Sequence, residues 1–343
     1  MQKYGFANDY MEGCHENILK ALLESNLEQH MGYGEDYYCT KAKEAIKNKL
    51  EDENAEIHFV SGGTQANLII ISSILRPYES VISGDSGHIN ANETGSIEAT
   101  GHKVCVAKTV DGKLIPKNIE VVLSKHKNEH VVKPRLVYIS NSTEIGTIYT
   151  KRELEELSEF CKDNDLLLFM DGARLGSAIC SKYNDLTLAE ISKLVDVFYI
   201  GATKNGGLLG EAIVINNDSL KRDFRYNIKQ KGGLLAKGRL LGMQFFELFK
   251  EDLYFDLANH ANKLAYRISE GIEKEGYTFL AEAQTNQVFP ILPNNIIEKL
   301  SEKYIFLKWS EVDENNTAIR LITSWATKNE EVESFIVDLS NIK

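Results

Sequence analysis

Between residues 56 and 215 the chain alternates short apolar runs with stretches of helical period. Glu56–Val60 reads as a strand and Ala66–Leu75 as a helix. Ser80–Ser83 and Lys103–Val106 are short strands, Pro116–Lys125 is helical, and Pro134–Ile139 is a strand. Thr150 with Glu153 forms a capping box for a helix that runs to about Cys161. A strand ending at Asp171, a helix Leu188–Leu194, a strand before Lys204 and a strand Glu211–Ile215 follow. This βαβ rhythm predicts an α/β fold with a mixed, mostly parallel sheet covered by helices. Right-handed crossovers collect the strand C-termini on one side.

Past about residue 236 the pattern changes. Gly238–Lys250 and Leu253–Glu275 read as long helices. An apolar run Gln287–Leu292, a helix near Asn295–Lys303, a strand Ala318–Thr323 and a terminal helix Asn329–Leu339 complete the chain. The expected organisation is a large α/β domain over 1–240, including an N-terminal segment 1–20, and a smaller α+β domain over 241–343.

Composition narrows the function classes. With 43% hydrophobic and 26% charged residues the chain has the make-up of a soluble globular protein. A net charge of −11 with no basic stripe argues against nucleic acid or anionic membranes as partners. The five cysteines lack C-x-x-C spacing, so neither a disulfide framework nor a metal site is expected. No apolar signal core and no run of about 18 apolar residues is found, and the expected location is cytoplasmic.

Candidate chemistry lies at the ends of two buried strands. Leu167-Leu168-Phe169-Met170-Asp171-Gly172-Ala173-Arg174 ends in a carboxylate; Val197-Phe198-Tyr199-Ile200-Gly201-Ala202-Thr203-Lys204 ends in an amine. Open α/β sheets keep their ligand crevices at such ends. A lysine able to form a Schiff base and a carboxylate able to pair with a pyridinium nitrogen are what pyridoxal phosphate requires. Ser61-Gly62-Gly63-Thr64-Gln65-Ala66-Asn67 joins a strand to a helix, as a phosphate site or as an ordinary turn capped by Thr64. His88 either stacks on a flat ring or lies in a solvated loop. Arg174 and Arg320 are candidate clamps for a substrate carboxylate, or salt-bridged arginines. Lys229, Lys231, Lys237 and Arg239 around Gly232-Gly233 form a solvated basic loop or a phosphate contact.

In order along the chain, Phe6-Ala7-Asn8-Asp9-Tyr10, Gly32-Tyr33-Gly34, Gly62–Asn67, His88 with Glu93-Thr94-Gly95, Asp171–Arg174, Thr203-Lys204 and Ile319–Trp325 resemble the low-specificity L-threonine aldolase family. That family belongs to the fold type I, aspartate-aminotransferase-like enzymes. The resemblance implies aldol cleavage of L-threonine or L-allo-threonine to glycine and acetaldehyde. It implies that Lys204 carries the cofactor, Asp171 holds the pyridine nitrogen, His88 stacks on the ring, and Gly63 and Thr64 hold the phosphate. Arg174 and Arg320 become the carboxylate clamp beside the cofactor, Asn8 falls where many members have a serine, and Tyr33 falls near the site. Two departures stand out. Ser142-Thr143-Glu144 replaces a histidine near the substrate hydroxyl, which makes Glu144, His88 or a bound water the candidate base. Gly233-Leu234-Leu235-Ala236-Lys237 stands where those members have an arginine after a glycine run, which leaves Lys237 or Lys231 to serve the phosphate. A β-eliminating lyase or an aminotransferase acting on another amino acid shares the scaffold. The resemblance also implies a homodimer or homotetramer with shared active sites.

Overall fold

The buried runs assemble into one seven-stranded sheet in a computed structural model that describes residues 3–342. Its strand order is Glu56–Val60, Glu211–Ile215, Val197–Gly201, Leu167–Asp171, Lys133–Ser140, Glu79–Gly84 and Lys103–Ala107. Glu211–Ile215 runs antiparallel to both of its neighbours; the remaining pairings are parallel. The sheet is covered on both faces, and the alternation of side chains along one strand shows it. Leu168 and Met170 join one core cluster while Leu167 and Phe169 join the other.

Two close backbone approaches bring the Asp171 and Lys204 strand ends together. A Cβ on Gly172 would stand 1.8 Å from the Tyr199 carbonyl oxygen, and one on Gly201 would stand 2.6 Å from the Ala173 carbonyl oxygen. Only glycine fits at either point, and the Gly201 amide donates to the Gly172 carbonyl at 3.0 Å across the gap.

The C-terminal region holds more strand than its periodicity indicates. Asn316–Ile322 pairs antiparallel with Gln287–Val288, Pro290–Pro293 and Leu307–Glu311, and Thr278–Phe279 pairs with Pro290–Pro293. Leu307-Lys308-Trp309-Ser310-Glu311 is mostly exposed, so it has no apolar run to betray it. The 287–292 run is two strands interrupted at Phe289. Helix Leu253–Lys274 joins the two regions: Tyr254 and Leu257 pack in the first core, Leu264 and Ile268 in the C-terminal one. The N-terminal strand Tyr4–Gly5 pairs with Tyr304–Ile305, and Phe6 is buried among C-terminal residues. That pairing carries residues 8–10 across to the mouth of the site.

Candidate active site

A cavity of about 360 Å³ opens at the C-terminal ends of the central parallel strands. Its wall includes Lys204, Asp171, Arg174, His88, Glu144, Glu211, Gly63 and Thr64, with Tyr10 also on the wall. A volume of this order suits a small organic ligand.

Asp171 is held by its surroundings and still faces the cavity. Its Oδ2 accepts from the Tyr138 hydroxyl at 2.5 Å and from Asn67 Nδ2 at 3.4 Å, and its Oδ1 accepts from the Ala173 amide at 3.0 Å. Lys204 Nζ forms no hydrogen bond or ion pair among the described residues. Burial, and then the Arg174 charge, lower the pKa of its ammonium, against the pull of Asp9, Asp171 and Glu211.

Helix Gly63–Ile74 starts at the cavity wall. Its N-cap is Gly62, in extended backbone and without a side-chain cap bond. Thr64 is therefore inside the first turn and does not cap the helix, which leaves its hydroxyl for the cavity. The first-turn amides have no intrahelical partner and carry the positive end of the helix dipole, so this end favours an anion.

On another wall, His88 Nδ1 is 2.9 Å from Glu93 Oε1, which also accepts from Asn67 Nδ2 at 2.8 Å. Chiefly through that hydrogen bond, Glu93 raises the pKa of the imidazole despite the opposing effect of burial. Glu144 Oε1 accepts from the His88 amide at 3.0 Å and from the Ser140 hydroxyl at 2.7 Å. Burial raises the pKa of the Glu144 carboxyl, and Ser140 offsets part of the rise.

Arg174 is already engaged. Its Nε and Nη2 donate to the two oxygens of Asp9 at 2.7 and 3.0 Å, and Asn286 Nδ2 donates to Asp9 Oδ2 at 2.9 Å. Asp9 is fully buried. Burial alone would raise its carboxyl, but Arg174 and Lys204 outweigh it and hold the pKa below the usual carboxylate value. The pairing leaves Arg174 Nη1 uncommitted.

The remaining sequence candidates stand outside this wall. Arg320 is half-buried, lies over the Trp309 ring at 5.2 Å, donates weakly to the Ala7 carbonyl, and has a buried Nε without a partner. Its charge and that of Arg174 repel each other, which places the two guanidiniums in one neighbourhood. Asn8 Oδ1 accepts from the Tyr10 amide. Tyr33 lines a separate cavity with Arg225, Tyr226 and Lys229, and Lys237 is exposed.

Four groups escaped the sequence reading: Asp9, Tyr138, Tyr199 and Glu211. Glu211 carried the most readable signal, because it heads an all-apolar strand, Ala212-Ile213-Val214-Ile215, straight after a glycine. The two tyrosines looked like core, which most of each ring is.

Comparison with known proteins places this geometry. The family model described as beta-eliminating lyase matches residues 6–294. The chain belongs to the beta-eliminating lyase family. It is 32% identical over 343 residues to the low specificity L-threonine aldolase of Pseudomonas aeruginosa, covering 97% of this chain and 96% of that one. It superposes on the structure of Leishmania major threonine aldolase with a TM-score of 0.98 and 49% identity, over 99% of both chains. Thermus thermophilus aspartate aminotransferase shares the fold alone, with a TM-score of 0.73 and 13% identity over 99% of this chain and 92% of that one.

The residues present fit pyridoxal phosphate. A half-buried amine without a hydrogen-bond partner among the described residues, a fixed carboxylate and an uncapped helix N-terminus line one cavity, and these match the aldehyde, the pyridinium and the phosphate of that cofactor in charge and chemistry. At the start of that helix Gly63 packs closely on Tyr199, where a Cβ would stand 3.0 Å from the hydroxyl.

Proposed function

We propose that the protein is a pyridoxal-phosphate-dependent threonine aldolase that cleaves L-threonine or L-allo-threonine to glycine and acetaldehyde. The observation that carries this reading is the convergence of Lys204, Asp171 and the Gly63 helix end on one cavity that also holds a free Arg174 nitrogen. When bound, the cofactor supplies a ring that accepts the electrons of the broken Cα–Cβ bond.

The chain's own residues do the rest. Lys204 holds the cofactor through its amine, and Asp171 keeps a positive charge on the ring nitrogen. Gly63 and Thr64 take the phosphate at the helix N-terminus, and His88 covers the ring. Arg174 binds the substrate carboxylate through Nη1, with Asp9 fixing the guanidinium plane, and Arg320 supplies a second cation. Glu144 is the better acceptor for the hydroxyl proton. Its raised pKa brings it nearer neutrality, whereas Glu93 keeps a proton on His88.

A second copy of the chain completes the site. Leu19 and Leu23 on helix Glu16–Glu24, with Leu27 and Met31 in the segment after it, are 53%, 78%, 92% and 71% exposed. Exposed apolar side chains gathered in one short segment mark an interaction surface, and Met31 at its end lines a cavity with Tyr33, Arg225 and Lys229. A homodimer built on this face, or a homotetramer made from such dimers, follows. A cytoplasmic location suits the composition, and no helix among the described residues is long and apolar enough to cross a membrane.

The test is a visible absorption spectrum of the purified enzyme before and after L-threonine or L-allo-threonine, with acetaldehyde assayed in the same sample. A perturbed band with acetaldehyde is expected. Ammonia and 2-oxobutanoate instead would assign a β-eliminating lyase, and transfer of the amino group to an oxo acid would assign an aminotransferase.

A further inference from the structure

Glu211 has no part in the chemistry described so far, yet it is built into the same cavity. It opens the one strand that runs against the others in the seven-stranded sheet, paired with Val60 on one side and Gly201 on the other. This register sets it between the strand that leads to the phosphate helix and the strand that leads to Lys204. The side chain is 4% exposed and lines the cavity wall. Its Oε2 is buried without a hydrogen-bond partner, and its Oε1 lies 4.0 Å from where a Gly63 Cβ would be.

A carboxylate at this point faces hostile neighbours. Asp171 across the cavity repels it, Tyr199 beside it is buried and neutral, and Thr203 offers a hydroxyl. Lys204 is the only cation among the charges that act on it strongly; Arg174, His88 and Glu144 stand further round the wall. A buried carboxyl with one orphaned oxygen is costly as an anion and far less so as an acid. Burial accordingly drives its pKa well above the ordinary carboxylate value, with Lys204 opposing.

We propose that Glu211 is the proton store for Lys204, taking up the lysine proton whenever Lys204 must act as a nucleophile. Lys204 and Glu211 share the cavity wall without a direct hydrogen bond, so the proton crosses through one bridging water, and Lys–NH3+ and Glu–COO− become Lys–NH2 and Glu–COOH with nothing else gained or lost. The neutral amine is then free to attack the aldehyde carbon of the cofactor and displace the bound amino acid. One C–N bond forms, one breaks, and the displaced amine leaves with its electron pair and is protonated by water. Without the store, Lys204 would have to release its proton to bulk solvent from inside the cavity. Glu211 thereby takes the proton as Lys204 returns to the cofactor and gives it back as the amino acid displaces the lysine.

This inference rests on Lys204 as the attachment point, and the experiment separates the two. The holoenzyme and its Glu211→Gln and Glu211→Asp variants are mixed with glycine, which exchanges with Lys204 but has no Cα–Cβ bond to cleave. The observed rate of the visible spectral change is plotted against glycine concentration at several pH values. The slope reports glycine entry and the intercept reports Lys204 return. At neutral pH Glu211→Gln should lower both the intercept and the slope, each at least tenfold, because entry and return pass through the same proton transfer. The deficit should shrink as pH rises and bulk hydroxide takes the proton, and Glu211→Asp should recover part of the loss. An unchanged or raised intercept at neutral pH would overturn the proposal, as would a loss equal at all pH values, the mark of a merely structural role. Borohydride reduction followed by peptide mapping checks the premise. Cofactor fixed to Lys204 with an unaltered Gln intercept sinks the Glu211 role alone, and cofactor fixed to another lysine sinks both.

Discussion

Replacing Asp9 with alanine tests whether Arg174 is held in place by a buried ion pair. Asp9 is fully buried and the Arg174 side chain is 13% exposed. Both carboxylate oxygens are used, at 2.7 and 3.0 Å, and a third donor, Asn286 Nδ2, reaches Oδ2 at 2.9 Å. Removing one partner of such a pair leaves an uncompensated charge, at a cost of about 3–5 kcal/mol. Asp9→Ala should therefore lower the unfolding free energy by roughly that amount in urea denaturation monitored by circular dichroism. Asp9→Asn should cost less, because it keeps the shape and one acceptor, but its amide must face at least one of the three donors. Linkage fixes the sign with pH. The folded-state pKa of Asp9 lies below its ordinary value of 3.8, so the pair's contribution is fully present above that value. It is lost as pH falls through the lower, folded-state pKa. The difference between wild type and Asp9→Ala should thus be constant near neutrality and narrow only in acid. KM for threonine should rise in both variants, since Arg174 loses its fixed plane. Wild-type stability and KM in Asp9→Ala would refute the idea that Asp9 positions the carboxylate clamp.

Other substitutions probe separate parts of the site. Lys204→Ala should remove the visible band of the lysine-bound cofactor and nearly all turnover, while Asp171→Ala should weaken cofactor binding in a fluorescence titration and slow cleavage more than substrate binding. Glu144→Gln should reduce kcat by about 10²–10⁴-fold, the usual reach of a general base. Because burial raises its carboxyl, the acid limb of the wild-type kcat/KM profile should lie above the ordinary carboxylate range and vanish in the variant. Leu23→Glu combined with Leu27→Glu should shift the protein toward monomer in multi-angle light scattering and cut activity with it, whereas an unshifted mass would remove this segment from the interface.

The legible part of this molecule is whatever local chemistry must announce. Strands buried on both faces read as continuous apolar runs, so Leu167–Asp171 and Val197–Gly201 were visible, and so were the charged residues that end them. The helix with its glycine start was visible too, although the cap is Gly62 and not Thr64, since an extended glycine needs no side-chain bond to begin a helix. What the sequence hid depends on partners distant along the chain. Asp9 and Arg174 are 165 residues apart, and nothing near either shows that they close on each other. Leu307–Glu311 is a strand only because Asn316–Ile322 offers it an edge, and its own residues are exposed and mixed. Glu211 lies between these cases. A carboxylate at the head of an apolar strand conflicts with the local pattern, and such conflicts tend to mark function. The physical reason it survives there is the neighbouring Lys204, a relationship set by strand register across Gly201 and not by any spacing along the chain. The same register explains why the site tolerates two buried acids, Asp171 and Glu211, around one lysine. One is fixed by three hydrogen bonds; the other has an orphaned oxygen and is suited to carry a proton.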